Sequence, residues 1–202
     1  MGLIRLIIES GGWLLVPIVL LSIAACAIVV ERLWRLLPMR ARFAAVRSDF
    51  HEALMTGGAE AAWARLDGTT PLGRVLRAGL AVRSHGPELM RVAGLDAAQR
   101  EVPALERGLG VLLVATQVAP LIGLLGTVIG LIEAFQAASQ GDEFTTKLLA
   151  GGVYKALAAT VAGLLIAIPA FLAYGGLSGL VARLSDQLEH AATDLPLIVK
   201  GA

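Results

Sequence analysis

Three long apolar runs set the pattern of this chain. They extend from Ser10 to Val30, from Gly108 to Ile132 and from Leu148 to Ala182, and Lys155 is the only charged residue inside them. About 20 apolar residues are enough for a helix to cross the hydrocarbon core of a bilayer. The pattern therefore predicts three transmembrane helices.

The polar segments are also predicted to be helical. The stretch from about 35 to 105 is rich in Ala, Leu, Arg and Glu and is interrupted at 57–58, 68–71 and 84–87, which predicts three or four helices. From Asp96 to Leu112 there are few helix breakers, so the second span is expected to begin as a helix outside the bilayer. Apolar periodicity from Ala182 to Val199 predicts that the third span also continues beyond the membrane.

The predicted fold is an all-α integral membrane protein with three transmembrane helices, the second and third of which extend into a cytoplasmic helical domain. The organisation is an amphipathic outer-face N-terminus (1–12), transmembrane helix 1 (13–34), a cytoplasmic helical domain (35–105), transmembrane helix 2 (106–138), a periplasmic loop (139–147), transmembrane helix 3 (148–181) and a cytoplasmic tail helix (182–202).

Composition and charge support this organisation and indicate its orientation in the membrane. The 202 residues are 56% hydrophobic and 16% charged, with a mean hydropathy of +0.75, which is too apolar for a soluble domain of this size. Twelve of the 17 lysines and arginines lie between Arg32 and Arg107. The positive-inside rule then places residues 35–105 and the C-terminal tail in the cytoplasm and the N-terminus outside. The sequence around Cys26 loosely resembles a lipoprotein processing site, but the Arg-rich segment that follows favours a retained span.

Two stripes of small residues mark the second and third spans. In each stripe the residues recur every three or four positions, so they share one narrow helix face, and each stripe carries at least one threonine hydroxyl. Such faces indicate close packing around something that lies between the helices. The predicted channel-lining residues are Thr127, Thr160, Thr116, Pro120, Gly123, Gly130, Ala156, Gly163 and Ala167. The alternative is that each threonine bonds a carbonyl of its own helix and serves ordinary packing.

Two charged residues near the outer ends of these spans are candidates for charge tuning. By helical rise Lys155 lies roughly 10 Å inside the third span, where it either snorkels to the interface or pairs with a carboxylate. Glu133 is the nearest carboxylate in this chain. Pro120 and Pro169 interrupt the two spans and indicate either a hinge or a static kink.

The sequence contains no constellation for catalysis or for a cofactor. No span has an Asp or Glu at its middle, and there is no phosphate loop, nucleophile motif or His and Cys cluster. The three histidines, His51, His85 and His190, lie outside the spans. We therefore expect no enzyme activity, no metal, no cofactor and no nucleic-acid partner. Any titrating carboxylate needed for proton movement must come from another chain.

Two motifs stand out in the spans: the segment 119–130 (APLIGLLGTVIG) in the second, and 156–170 (ALAATVAGLLIAIPA), followed by Tyr174, in the third. They resemble the second-span and third-span signatures of the MotA/TolQ/ExbB proton-channel family, closest to its ExbB and TolQ branch. The order of spans and polar segments agrees as well.

This resemblance implies a homopentamer in the bacterial inner membrane, with a periplasmic N-terminus and a cytoplasmic C-terminus. The second and third spans would ring a channel that holds the helices of a dimeric single-span partner, ExbD or TolR, which supplies the transmembrane aspartate. Membrane lipid and a TonB-like or TolA-like protein are the other implied partners. Thr127 and Thr160 match the family's channel-facing threonines, and the implied function is to couple proton flow to work at the outer membrane.

One residue departs from the family pattern. ExbB and TolQ members often have a glutamate immediately before the third-span motif, and here that position is Lys155. This puts a proton-relay role for the position in doubt and suggests instead that Lys155 pairs with the partner's aspartate. The alternatives are a TolQ-like role in the envelope, a flagellar stator role, which the short 139–147 loop disfavours, and a passive membrane scaffold.

Overall fold

The computed structural model describes residues 15–140 and 146–201, which are helical apart from short connections. The helices are α1 (Leu15–Arg65), α2 (Pro71–Ala81), α3 (Pro87–Glu106), α4 (Leu109–Gln140) and α5 (Thr146–Lys200), with a 3-10 turn at Arg83–His85. No strand occurs within these ranges, which confirms the all-α prediction for them. The predicted amphipathic stretch at residues 1–10 and most of the 139–147 loop lie outside the described residues.

Three of the helices are long and apolar enough to cross a membrane. The candidate spans fall within Val16–Arg65, Leu109–Ser139 and Leu149–Lys200, and their most apolar windows have mean hydropathies of 2.2, 2.0 and 2.3. These are the three helices that the apolar runs predicted. The helix that contains the third span extends well beyond it, because α5 continues as one helix to Lys200.

Two helix boundaries differ from the sequence expectation. The prediction of a continuous helix from Asp96 into the second span is wrong, because α3 ends at Glu106 and α4 begins at Leu109. Gly108 between them has φ +84°, a left-handed conformation that glycine adopts without the strain of a Cβ atom. Of the second and third spans, which were both expected to extend beyond the membrane, only the third continues as an unbroken helix. The first apolar helix extends to Arg65, with a non-helical residue at Gly58 (φ +68°).

The first compact unit contains most of the apolar sequence, and we call it the apolar unit. Its described residues are 15–30, 108–140 and 146–175. Ile18 of α1 and Ala162 of α5 are buried together, with Ile122 and Ile166 packed against them. Many of its large side chains, such as Leu121 and Phe171, are exposed. A surface of this kind suits contact with lipid or with other protein chains.

The second compact unit, the charged unit, consists of residues 31–107 and 176–201. One face of the α5 tail is buried here, as its periodicity predicted, while Arg183, Asp186 and Glu189 are exposed. Gly94 of α3 allows a close approach, since a Cβ atom there would lie 2.9 Å from the Cβ of Ala192. The largest fully buried side chains of this unit are Leu36, Leu72, Leu80, Leu105, Leu184, Leu188, Leu195 and Val75.

Two arginines hold helix ends in the charged unit. Arg74 binds both carboxylate oxygens of Glu101 at 2.6 Å, and it also donates to the carbonyls of Gly68 and Thr69, just before α2. Arg32, only 3% exposed, donates from Nη1 to the carbonyl of Ala104 at 3.3 Å. Because α3 ends two residues later, that carbonyl lacks a helical donor, so Arg32 acts as a C-terminal cap for α3.

Candidate functional site

The candidate site is the contact between α4 and α5 in the apolar unit, where small residues bring two backbones together. A Cβ atom added to Gly123 would lie 2.9 Å from the carbonyl oxygen of Ala159 and 3.1 Å from the Cα of Thr160. A Cβ atom at Gly163 would lie 2.5 Å from the carbonyl oxygen of Ala119. Backbone atoms cannot move aside as a flexible side chain can, so both positions require glycine at this separation.

The same close contact continues about two to three turns along the helices. A Cβ atom at Gly130 would lie 3.1 Å from the Cβ of Ala156, and one at Gly152 would lie 3.2 Å from the Cα of Ala134. The pairing of 123 with 163, 130 with 156 and 134 with 152 shows that α4 and α5 run antiparallel. The two small-residue faces found in the sequence are therefore packed against each other within one chain.

A hydrogen bond crosses this contact. The Thr160 hydroxyl donates to the carbonyl oxygen of Gly123 at 3.2 Å. That carbonyl also belongs to the helical ladder of α4, and it can be reached from α5 because residue 123 has no side chain. Thr160 thus joins the two helices instead of bonding within its own, which differs from the ordinary reading of a membrane threonine.

The two threonines of α4, in contrast, bond within their own helix. Thr127 donates to the carbonyl of Leu124 at 2.6 Å, and Thr116 donates to that of Leu113 at 2.7 Å. This is the self-bonded arrangement expected of a threonine in an apolar helix. A hydroxyl that donates in this way still has acceptor lone pairs for water or for another donor. Thr127 is half-buried, so part of its surface is left accessible.

Burial divides the nine predicted channel-lining residues into two sets. Four are buried in the single chain, against neighbouring atoms of the same molecule: Gly123, Ala156, Gly163 and Ala167. Five are partly exposed: Thr116, Pro120, Thr127, Gly130 and Thr160. Close packing explains why the four buried residues have small side chains or none. A channel-facing role for the nine residues stays a prediction.

The two predicted charge-tuning residues are not paired with each other. Lys155 and Glu133 are both exposed, on α5 and α4 respectively, and no ion pair joins them. Glu133 is the only carboxylate among residues 15–30, 108–140 and 146–175. The described apolar unit therefore offers hydroxyls along its helices but just one acid, near the end of α4.

The described residues contain no group of three His, Cys, Asp or Glu side chains that is placed to hold a metal ion. Cys26 is exposed as a free thiol. His51 lies in the charged unit on a groove of about 910 Å³ whose other lining residues include Arg40, Arg47, Phe50 and Asp194. The groove lies outside the apolar unit.

Sequence reasoning missed four small residues that complete the helix contact. Ala119, Ala134, Gly152 and Ala159 each lie four positions from a residue already singled out, and each contacts the opposite helix. Two small residues separated by three others are a known signal for close packing of membrane helices, and the pairs 119/123, 130/134, 152/156 and 159/163 all carry it. Reading both spans for that spacing would have found them.

The fold and this contact define a class of protein: an all-helical membrane protein whose apolar helices pack through small residues and carry hydroxyls in place of buried acids. Residues 67–190 match the MotA/TolQ/ExbB proton channel family. The match covers more than half of the chain and includes all of α4 and the candidate site. The chain belongs to the MotA/TolQ/ExbB proton channel family.

Individual relatives come from both the ExbB and the TolQ branches. The chain is 34% identical over 198 residues to the ExbB-like 1 protein of Synechocystis sp., covering 95% of this chain and 77% of that protein. It is 29% identical over 210 residues to the biopolymer transport protein ExbB of Neisseria meningitidis, covering 95% of this chain and 94% of that one. It is 44% identical over 89 residues to the Tol-Pal system protein TolQ of Haemophilus influenzae, covering 44% of this chain and 39% of that protein.

Proposed function

We propose that this protein is the channel-forming subunit of a motor in the bacterial inner membrane that is driven by the proton-motive force. In this ExbB-like role, several copies of the chain surround the helices of an ExbD-like or TolR-like single-span partner. The family resemblance implies five copies. Proton flow is coupled through a TonB-type protein to work at the outer membrane. The proton-channel family and the span-length helices support the proposal.

The observation that carries the proposal is the distribution of polar groups in the apolar unit. Thr127 and Thr160 supply hydroxyls well inside α4 and α5, whereas Glu133 is the only carboxylate among the described residues of the unit. A proton path through hydrocarbon needs a group that titrates, and hydroxyls do not titrate near neutral pH. We therefore assign the titrating carboxylate to the partner and assign to the threonines the hydration and positioning of that carboxylate.

The two burial sets then receive different roles in the channel. The partly exposed residues, Thr127 and Thr160 first among them, are proposed to face the channel directly. The buried residues Gly123, Ala156, Gly163 and Ala167 are proposed to act by holding α4 and α5 close enough for both hydroxyls to reach the same face. Close packing thereby sets the distance between α4 and α5 in the proposed channel wall.

We further propose that the charged unit lies in the cytoplasm and the N-terminus in the periplasm. The charge census supports this orientation, because Arg32, Arg35, Arg40, Arg42 and Arg47 follow the first apolar run closely. The connection between α4 and α5 would then face the periplasm.

The test is proton flux through the complete assembly of this chain with its ExbD-like or TolR-like single-span partner. Thr127→Val combined with Thr160→Val removes both hydroxyls and keeps the side-chain shape. We expect vesicles containing the double variant to retain the complex but to lose at least tenfold in proton flux driven by a pH gradient. Thr56→Val is the matched control, since its hydroxyl bonds the carbonyl of Glu52 in the charged unit. Unchanged flux in the double variant would favour a passive scaffold.

The second candidate function is a TolQ-like role in maintaining the cell envelope. The 44% identity to TolQ over 89 residues specifically supports it. The two functions differ in the partner, so the complex that co-purifies with this chain separates them. Recovery of a TonB-like protein supports the ExbB-like function, and recovery of a TolA-like protein supports the TolQ-like one.

A further inference from the structure

Glu133 and Lys155 are the only charged residues at positions 16–30, 108–139 and 149–175 of the apolar unit. Both are exposed, they have opposite charge, and neither forms an ion pair with another described side chain of its own chain. One belongs to α4 and the other to α5. Each charge thus lies on the outside of the single chain.

The two charges lie at nearly the same level along the helix pair. The contacts of Gly130 with Ala156 and of Gly152 with Ala134 set the register of α4 against α5. In that register Lys155 is level with position 131, two residues from Glu133. Two residues of helix correspond to about 3 Å, which side chains of this length span easily.

The surroundings of both charges are apolar and also exposed. Ile132 and Phe135 flank Glu133 with exposures of 59% and 60%, while Tyr154 and Leu157 flank Lys155 with 55% and 59%. A charge among such side chains is costly unless an opposite charge meets it. An apolar surface that contains a single charge is therefore better suited to a protein contact than to lipid.

We propose that Glu133 of one copy forms an ion pair with Lys155 of the next copy across the contact between copies. The inference rests on the homo-oligomer of the proposed function and names a contact within it. In a closed ring each copy presents one surface to one neighbour and a different surface to the other. Each Glu133 of the ring then meets one Lys155. An anionic lipid or a partner's aspartate would neutralise Lys155 but would leave Glu133 without a counter-charge.

Cysteine cross-linking of the full-length chain tests the pair. Cys26 is the only native cysteine, so Cys26→Ala gives a cysteine-free background. Two differently tagged chains are co-expressed, one with Glu133→Cys and the other with Lys155→Cys. We expect an oxidant to produce a disulfide dimer that carries both tags. Gln117→Cys, an exposed position at a distant level of α4, replaces Glu133→Cys as the matched control and should give at least tenfold less dimer.

Charge reversal provides a second test that does not depend on cysteine reactivity. We expect Glu133→Lys and Lys155→Glu each to weaken association of the copies about fivefold, within the range measured for polar pairs between membrane helices. The double variant carries both charges in exchanged positions and should recover most of the lost affinity. Recovery in the double variant is not expected if Lys155 pairs with lipid or with an aspartate of another protein.

The outcomes separate this inference from the function on which it rests. An assembly that keeps its native mass but forms no mixed-tag dimer overturns the ion pair and leaves the proposed channel intact. If a chain that carries both Glu133→Cys and Lys155→Cys forms the disulfide only within itself, the ion pair between copies is also overturned. A native mass equal to that of one chain overturns the homo-oligomer itself, and with it the proposed function.

Discussion

The hydroxyl of Thr160 donates to the carbonyl oxygen of Gly123 on the neighbouring helix, at 3.2 Å. This bond is possible only because a glycine exposes its carbonyl to α5. One residue supplies the donor and the other supplies the space, so the hydrogen bond and the close packing of α4 and α5 depend on each other.

Thr160→Val is expected to destabilise the helix pair by about 1 kcal/mol, because interhelical hydrogen bonds in membranes average about 0.6 and reach about 1.7 kcal/mol. Valine keeps the shape and removes the donor. Unfolding of the purified protein in detergent measures the change. Thr116→Val is the matched control, since that hydroxyl bonds a carbonyl of its own helix. Equal losses in both variants would contradict an interhelical role for Thr160.

Gly163→Ala is expected to lower stability by about 1–3 kcal/mol, the usual cost of forcing extra volume into a packed site. The new methyl group would lie 2.5 Å from the carbonyl oxygen of Ala119. Gly175→Ala offers the opposite case on the same helix, because nothing lies within 4 Å of its Cβ position. That variant should be neutral or slightly stabilising through better helix propensity. The same melting experiment compares them, and a stable Gly163→Ala protein would contradict the close approach.

The sequence predicted the helices and the small faces but not how those faces meet. Runs of apolar residues and a spacing of three or four positions are local properties, so they can be read directly from residues 108–182. Whether a small face meets a channel or another helix depends on which surfaces pack, and spacing alone leaves both open. The same holds for Arg32, which looks like one of several charges after the first span. Its capping role depends on α3 ending at Glu106, a boundary that sequence reasoning missed.

Arg32→Gln is expected to destabilise the charged unit by about 1.5–3 kcal/mol, the range for hydrogen bonds made by charged groups. The variant shortens the side chain and leaves the carbonyl of Ala104 without its donor. Arg35→Gln, three residues further along α1, is the comparison, because Arg35 makes an exposed pair with Glu31. That change should cost less than about 0.5 kcal/mol. Hydrogen exchange at the last turn of α3 should rise in the Arg32 variant only.

Acid pH is expected to weaken the start of α3 through Glu88. A hydrogen bond from Arg91 lowers the pKa of Glu88 below its ordinary value. A carboxylate with a lowered pKa contributes stability above its unfolded-state pKa of about 4.3, and the contribution is lost as pH falls through the folded-state value. Arg91→Gln should therefore raise the pKa of Glu88, as followed by NMR of labelled glutamate. Arg100→Gln, which removes the partner of Asp96, should leave it unchanged.

Arg74→Lys is expected to destabilise the charged unit even though it keeps the positive charge. The planar guanidinium meets both oxygens of Glu101 at 2.6 Å and reaches two carbonyls of the loop before α2, and the hydrogen bond to Glu101 also raises the pKa of Arg74. Lysine is a point charge and cannot make this fork. We expect a loss of about 1 kcal/mol, at the upper end for pairs that are partly exposed. Arg100→Lys is the matched control, because its pair with Asp96 is well exposed and lies within a single helix. Equal thermal stability of the two variants would show that charge alone, and not the forked geometry, holds the start of α2 against α3.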